Sequence, residues 1–243
     1  MKSVVENVIP LSEIHVPAQY LTIEIPSWEA VAMPLVYQVA KQFNPDGNPD
    51  FILLDEHVAA LDLPNVASVA QLKQYAMMLF RKHQVHQKFY QELLPYLLVF
   101  FAETSQVILN SAELAEFQQQ YQERLQQAAE AEGESLAEYV TRTMGIAETE
   151  LEQQLAERSS EDFIYKLIAQ RAYLTSGHTL DELAYEQFIA TNVLQRGADD
   201  IEIREQFPYE SFKEWMPEMV FTQELFDYFE PQFKFVIAHN EIE

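Results

Sequence analysis

The chain lacks cysteine altogether and contains only 5 glycines among 243 residues. Without cysteine there is no disulfide framework, no thiolate nucleophile and no cysteine-ligated zinc, which fits a reducing compartment, so we predict a cytoplasmic location. Glycine-rich phosphate loops are missing too, as are the common short catalytic motifs. We therefore expect no nucleotide cofactor.

Basic residues are also scarce, because 15 lysines and arginines face 39 acidic side chains and the formal charge is -24. Such a charge repels phosphate backbones and anionic lipid headgroups. The densest basic cluster is Arg81 and Lys82, with Lys73 and Lys88 nearby, and it lacks the aromatic pattern of an RNA-reading motif. Nucleic acid is not an expected partner.

Long apolar runs are absent as well. The longest, Leu93 to Ala102, contains Pro95 and reaches roughly half the length that a bilayer span needs. Near the N-terminus, Glu6 interrupts the place where a signal peptide would have an apolar run. We predict neither an export signal nor a membrane segment.

Residues with catalytic or metal-binding chemistry do not form a convincing set. His83 and His86 have i, i+3 spacing and could share a metal with Glu92 or Glu56, but no spacing specifies a third ligand. Carboxylate pairs such as Glu150 and Glu152 arise by chance in so acidic a chain. The sequence favours a protein that is not an enzyme, with no catalytic, cofactor-binding or metal-binding residues.

Glutamine, glutamate and alanine dominate the polar stretches, so we predict a mainly α-helical fold. The exception is Tyr20 to Ile25, whose alternation predicts a strand, followed by a helix from Ser27 to about Gln42. Turn-forming residues at 44–50 then mark a boundary. The predicted domains are a small strand-and-helix segment at 1–50 and a helical domain at 51–243.

Three capping-box spacings organise the helical domain: Asn110 with Glu113, Ser135 with Glu138, and Thr179 with Glu182. They predict capped helical hairpins at about 110–144 and 149–176, followed by another helix. The tail from Tyr209 to Ile237 is crowded with aromatic residues, which complete a core or line a groove.

The order of these elements resembles the C-terminal domain of trigger factor, the bacterial ribosome-associated chaperone. The similar segments are Leu54–Leu61 with Val66–Lys73, Ala112–Leu114, Gly133–Tyr139, Gly145–Leu151 and the long helix that follows to Leu174. The resemblance covers roughly residues 51 to 195, and it lies in the order and spacing of the segments.

The resemblance implies a helical body with two protruding long-helix arms that hold unfolded or partly folded chains through scattered apolar and polar patches. The predicted client-contacting residues are Phe117, Tyr121, Leu155, Phe163 and Leu167. Each of these side chains could instead belong to the core of the hairpins.

The chain also departs from that family. The position of the ribosome-docking loop holds 44–50, which contains no arginine, and no segment between residues 50 and 66 is long enough for a prolyl isomerase domain. We therefore expect no isomerase activity and no stable association with ribosomes.

The leading hypothesis is an ATP-independent chaperone or holdase that binds non-native polypeptides in a helical cleft. The alternative is an adaptor or assembly factor that docks one dedicated folded partner. Exposed apolar stripes can also be buried against a second copy of the chain, so homodimer formation stays open.

Overall fold

The computed structural model describes residues 2–197 and 199–238, and this part of the chain is mainly helical. The α-helices are α1 (Ala18–Leu21), α2 (Trp28–Phe43), α3 (Asp55–Ala59), α4 (Val69–Lys88), α5 (Leu94–Thr104), α6 (Ser111–Glu132), α7 (Leu136–Met144), α8 (Leu151–Thr175), α9 (Glu182–Arg196), α10 (Asp200–Gln206) and α11 (Tyr209–Phe229). The strands are β1 (Val4–Val5), β2 (Thr22–Ile25), β3 (Val107–Ile108) and β4 (Lys234–Ile237). Among the described residues, no helix combines the length and the apolar character needed to cross a bilayer.

The chain folds as two compact units, each built from segments that are distant in sequence. Residues 15–95 associate with residues 228–238, and we call this the 15–95 unit. Residues up to 14 associate with 96–227, and we call this the 96–227 unit. The boundary predicted at residue 50 does not coincide with this division, because both ends of the chain return to segments far from them in sequence.

A parallel strand pair closes the 15–95 unit. Each residue of β2 pairs with one of β4, from Thr22 with Lys234 to Ile25 with Ile237. Helices α2 and α4 pack against each other, and their core is built from Val36, Val39, Val58, Val66 and Leu72. The predicted strand is confirmed for Thr22–Ile25, whereas Tyr20 and Leu21 belong to helix α1. The predicted helix after Ser27 is confirmed, and Ser27 accepts a hydrogen bond from the Ala30 amide at 3.0 Å.

The apolar run that contains Pro95 is helical, with a π-helical turn at Phe89–Leu93 directly before α5. A proline lacks an N–H and cannot donate to the carbonyl four residues earlier. The π turn, in which the Leu94 amide donates to the Phe89 carbonyl, carries the chain into α5 at this point.

In the 96–227 unit, α6 packs along α8, and α7 fills the connection between them. The Gln118 side chain on α6 donates to the Ala156 carbonyl at 3.2 Å and to the Ser160 hydroxyl at 3.0 Å on α8. A second core lies beneath α9, α10 and α11 and consists of Tyr173, Tyr185, Ile189, Ile203, Phe212 and Met216. The helices predicted within 110–144 and 149–176 are therefore present.

Two capping predictions need correction. Asn110 caps α6, but Glu113 does not complete the box, since its carboxylate accepts from the Ser3 amide at 2.7 Å instead. Helix α9 begins after Asp181, which accepts from the Ala184 amide at 2.9 Å, and Thr179 is not the cap. In both cases a competing acceptor or donor, one of them distant in sequence, replaces the local partner.

The box of Ser135 and Glu138 is complete, because each side chain bonds the backbone amide of the other residue. We predict that Ser135→Ala lowers the free energy of unfolding by about 1 kcal/mol. Urea denaturation followed by circular dichroism measures the effect. Ser135→Asp keeps an N-cap acceptor and serves as the matched control. An alanine variant as stable as the aspartate variant would contradict a stabilising role for this cap.

Candidate functional site

The 96–227 unit contains an open groove of about 700 Å³. Helices α6, α8 and α11 line it, with one residue from α5. The apolar and aromatic lining residues are Leu98, Phe117, Tyr121, Leu125, Tyr165 and Trp215. The polar and charged lining residues are Arg124, Asp162, Lys166, Ser211, Glu214 and Glu218.

Helical spacing explains why these side chains share one groove. Phe117, Tyr121 and Arg124 are three or four residues apart on α6, so they project from one face of that helix. The same holds for Asp162 and Lys166 on α8. On α11 the series is Ser211, Trp215 and Glu218. The groove therefore lies where one face of each of the helices α6, α8 and α11 comes together.

The aromatic wall of the groove is supported from within. The Phe117 ring lies 5.1 Å, between centroids, from the ring of Phe163, which is only 8% exposed. Tyr121 follows one turn later, at 6.4 Å from Phe117. Phe117 and Tyr121 remain half-buried, so the groove presents aromatic surface that is backed by a buried ring.

Two cations lie over this wall. The Arg124 guanidinium is 5.9 Å from the centre of the Phe117 ring and 6.0 Å from that of Tyr121. The Lys166 ammonium is 5.5 Å from the Phe117 ring. At exposed positions such contacts contribute about 0.5–1 kcal/mol each. They hold the charges beside the aromatic rings and leave them open to a further partner.

The same groove also contains negatively charged groups, the carboxylates of Asp162, Glu214 and Glu218. Reduced hydration raises the pKa of Asp162 and that of Glu218. The positive charges of Lys166 and Arg124 lower the pKa of Glu218, and the negative charge of Asp162 raises it, and the net shift is upward. Burial, with a contribution from Asp162, also raises the pKa of the Tyr121 hydroxyl. Water still reaches Asp162, so its surroundings are a concave surface and not a closed interior.

The charged side chains of the groove lie near one another but do not form ion pairs. Within the described parts of the chain, none of Arg124, Asp162, Lys166 and Glu218 forms an ion pair within 4.0 Å or a side-chain hydrogen bond. Ionic groups of both signs therefore stand beside aromatic surface without a committed partner, and a bound chain can pair with either sign.

The Tyr165 hydroxyl on α8 has two partners on α11, and one of them is the main-chain carbonyl of Glu218 at 3.5 Å. The Tyr165 hydroxyl lies 2.5 Å from the Thr222 hydroxyl, and its ring is 6.0 Å from that of Phe221. These contacts join α8 and α11, which form two walls of the groove.

The raised pKa of Glu218 leads to a test by pH. Since the folded pKa lies above the ordinary value of 4.5, ionised Glu218 costs stability above the folded pKa, and the cost disappears as the pH falls below the unfolded value. We predict that Glu218→Gln raises the urea midpoint at pH 7 and leaves it unchanged near pH 3. Glu152 is exposed on α8, and Glu152→Gln is the control that should show no such pattern. Equal midpoints at pH 7 would contradict the assigned environment.

The structure separates the five residues that the resemblance selected. Phe117 and Tyr121 line the groove, and Phe163 supports it from beneath. Leu155 is 7% exposed and lies at the floor of a smaller groove between α6 and α8, which Tyr121 also borders. Leu167 is half-buried and lies outside the lining of both grooves.

Sequence reasoning did not select the charged groove residues or Trp215. The signal was present in the i, i+4 and i+7 spacing of Ser211, Trp215 and Glu218, but in an aromatic-rich tail this pattern does not distinguish core from groove. Asp162 and Lys166 were likewise indistinguishable from other solvated charges on α8.

The possible metal-ligating side chains of the fold are its histidines and carboxylates. Across residues 2–197 and 199–238, no three histidine, aspartate or glutamate side chains cluster in a way that could hold a metal ion. His83 and His86 are both exposed on α4, and the His86 ring packs on Tyr90 at 4.5 Å.

Comparison with known proteins adds no assignment to this geometry. The resemblance to trigger factor stays a prediction from the sequence. No protein-family model, no curated protein and no solved structure matches the chain.

Proposed function

We propose that the protein is an ATP-independent chaperone that holds segments of non-native polypeptides in the groove lined by α6, α8 and α11. The observation that carries the proposal is the combination in one open groove of half-buried aromatic rings with cations and carboxylates that have no ion-pair partner. Unfolded chains expose the complementary groups, namely apolar side chains beside isolated charges.

The shape of the groove favours a polymer over a small molecule. Small-molecule sites enclose most of the ligand surface and place a few convergent polar groups around it. Here the charged groups are spread along three helices, and the groove is open to solvent. A chain that passes through it gains many weak contacts, which suits binding to many sequences.

Apolar surface elsewhere on the same unit extends this argument. Met219 on α11 is 48% exposed and Leu174 at the end of α8 is 55% exposed. Flexible thioethers and isolated leucines provide contacts of low specificity. The formal charge of -24 would keep a complex with an aggregation-prone chain in solution.

Suppression of aggregation is the direct test. A chemically denatured client is diluted into buffer with and without the purified protein, and light scattering is followed with several unrelated clients and without ATP. We expect reduced scattering at near-stoichiometric amounts of the protein. Unchanged scattering for every client would refute the proposal.

A pull-down distinguishes the chaperone from an adaptor. Many unrelated substoichiometric clients are expected for a chaperone. A single stoichiometric folded partner would instead identify the adaptor or assembly factor that the sequence left as the alternative.

A further inference from the structure

A second groove, of about 560 Å³, lies in the 15–95 unit. One wall is strand β2, through Thr22, Ile23 and Glu24. The other is the end of α4 and the following π turn, which contribute a row of glutamines at positions 84, 87 and 91. None of the residues discussed for the groove of the 96–227 unit belongs to it.

This groove runs along the edge of β2. Successive side chains of a strand point to opposite faces, so a groove that touches three consecutive residues lies beside the strand and not over one face. Ile23 is buried while Glu24 is exposed, as this alternation requires. No described residue of β4 lines the groove.

The main chain of β2 is paired on one side only. Among residues 2–197 and 199–238 its sheet has two strands, and the Ile25 carbonyl accepts from the Ala238 amide at 2.9 Å, which directs the main-chain groups of Ile25 toward β4. Because these groups alternate in direction along a strand, those of Ile23 also face β4, and those of Glu24 face the other edge. That edge is the one the groove follows.

The helical wall matches a peptide chemically. The Gln87 amide donates to Gln91 at 3.1 Å, and Gln84 donates to Gln87 at 3.4 Å, which leaves donor and acceptor capacity on each amide. The nearby Lys88 and Glu92 neutralise each other at 2.5 Å. A primary amide offers the same donor and acceptor types as a peptide bond, so this wall can bond a main chain without reading its side chains.

We propose that the free edge of β2 binds a short extended polypeptide segment as an added strand, with the glutamine row of α4 bonding its outward-facing main chain. β2 has four residues, so the paired stretch spans about 13 Å at roughly 3.3 Å per residue. Pro26 has no N–H and ends the edge, which restricts pairing to one short segment. The chemistry favours a segment of β-branched and uncharged polar residues, because the walls offer main-chain partners and no unpaired cation.

The site is independent of the groove proposed as the client-binding surface, since it lies on the other unit and recognises main chain instead of side chains. The two are therefore tested separately, each with its own variants.

The test uses a fluorescein-labelled eight-residue peptide of alternating threonine and valine and the full chain, with binding measured by fluorescence anisotropy. A peptide of the same sequence with every interior amide N-methylated cannot form the strand. We expect its binding to be at least about tenfold weaker, as expected for the loss of more than one hydrogen bond. In the protein, Glu24→Pro removes the outward amide while Ile23 and Ile25 keep their bonds to β4, and about a tenfold loss is expected again. Glu24→Gln keeps the amide and should bind within about twofold of the unaltered chain.

Hydrogen exchange shows where the peptide binds without any change to strand β2. The peptide is expected to slow exchange at residues 22–25 in the unaltered protein, and Phe117→Ala should leave this protection unchanged. Equal affinity for the methylated and unmethylated peptides, or protection confined to the 96–227 unit, would overturn the proposal. So would a Glu24→Pro variant that converts a dimer to a monomer without affecting peptide binding, because the edge would then be occupied by a second copy of the chain.

Discussion

Simultaneous replacement of Phe117 and Tyr121 by alanine should raise the concentration of protein needed for half-maximal suppression of client aggregation at least about tenfold. The two rings provide the aromatic wall of the groove and hold Arg124 and Lys166 beside it. Each aromatic contact contributes about 0.5–1.5 kcal/mol beyond the burial of its area, so the loss of both multiplies into a large change in affinity.

The matched control is Tyr37→Ala, which removes an aromatic side chain that is 61% exposed and belongs to the 15–95 unit. Circular dichroism and thermal unfolding establish that each variant is folded, because Phe117 also packs on Phe163. If the double variant is unfolded, the single variant Tyr121→Ser is compared with Tyr37→Ala instead. A double variant that is folded and suppresses aggregation as well as the control would contradict the role of this groove.

The second large effect concerns the support of α11. Phe212→Ala should lower the free energy of unfolding by about 3–5 kcal/mol, because it empties a site that is 1% exposed. The Phe212 ring lies 5.3 Å from that of Tyr185 and 5.4 Å from that of Phe188, so neighbouring rings lose contacts together. Trp215, which lines the groove, lies 6.3 Å from the same ring. Loss of Phe212 should therefore weaken client binding as well as stability.

Urea denaturation measures this effect, with Leu194→Ala as the control, since Leu194 is 85% exposed on α9 and its loss should change stability by less than about 0.5 kcal/mol. A loss below about 1 kcal/mol for Phe212→Ala would contradict the packing described for this core.

Local signals predicted the helices well, and the reason is physical. The caps at Ser27, Ser68 and Ser135 act over three residues, and the apolar period of 3.6 is a property of each segment alone. The predicted helices therefore agree closely with α2, α6, α7 and α8.

Contacts between distant segments were not predictable in the same way. The Glu113 carboxylate accepts a hydrogen bond from the Ser3 amide, 110 positions away, instead of completing the capping box with Asn110. The sequence indicates only an aromatic tail where strand β4 lies, because the pairing of β4 with β2 joins residues more than two hundred positions apart. The predicted boundary at residue 50 fails to match the two units for the same reason.

The groove was predictable only in part. Phe117 and Tyr121 followed from the resemblance, whereas Asp162, Lys166 and Glu218 required knowledge of which faces of α8 and α11 meet α6. Helical periodicity gives the face of each helix but not its neighbour, so the charged half of the site emerged only from the fold.

Trp215 offers the most direct measurement, because Trp28 and Trp215 are the two tryptophans of the chain and only the latter lines the groove. In a Trp28→Phe variant, emission reports on the groove alone. Titration with a tryptophan-free polypeptide, kept unfolded by reduction and alkylation of its cysteines, is expected to shift the emission of Trp215 to shorter wavelength as the chain displaces water. A variant that suppresses aggregation while the Trp215 emission stays constant would show that clients bind elsewhere and would contradict the assignment of this groove.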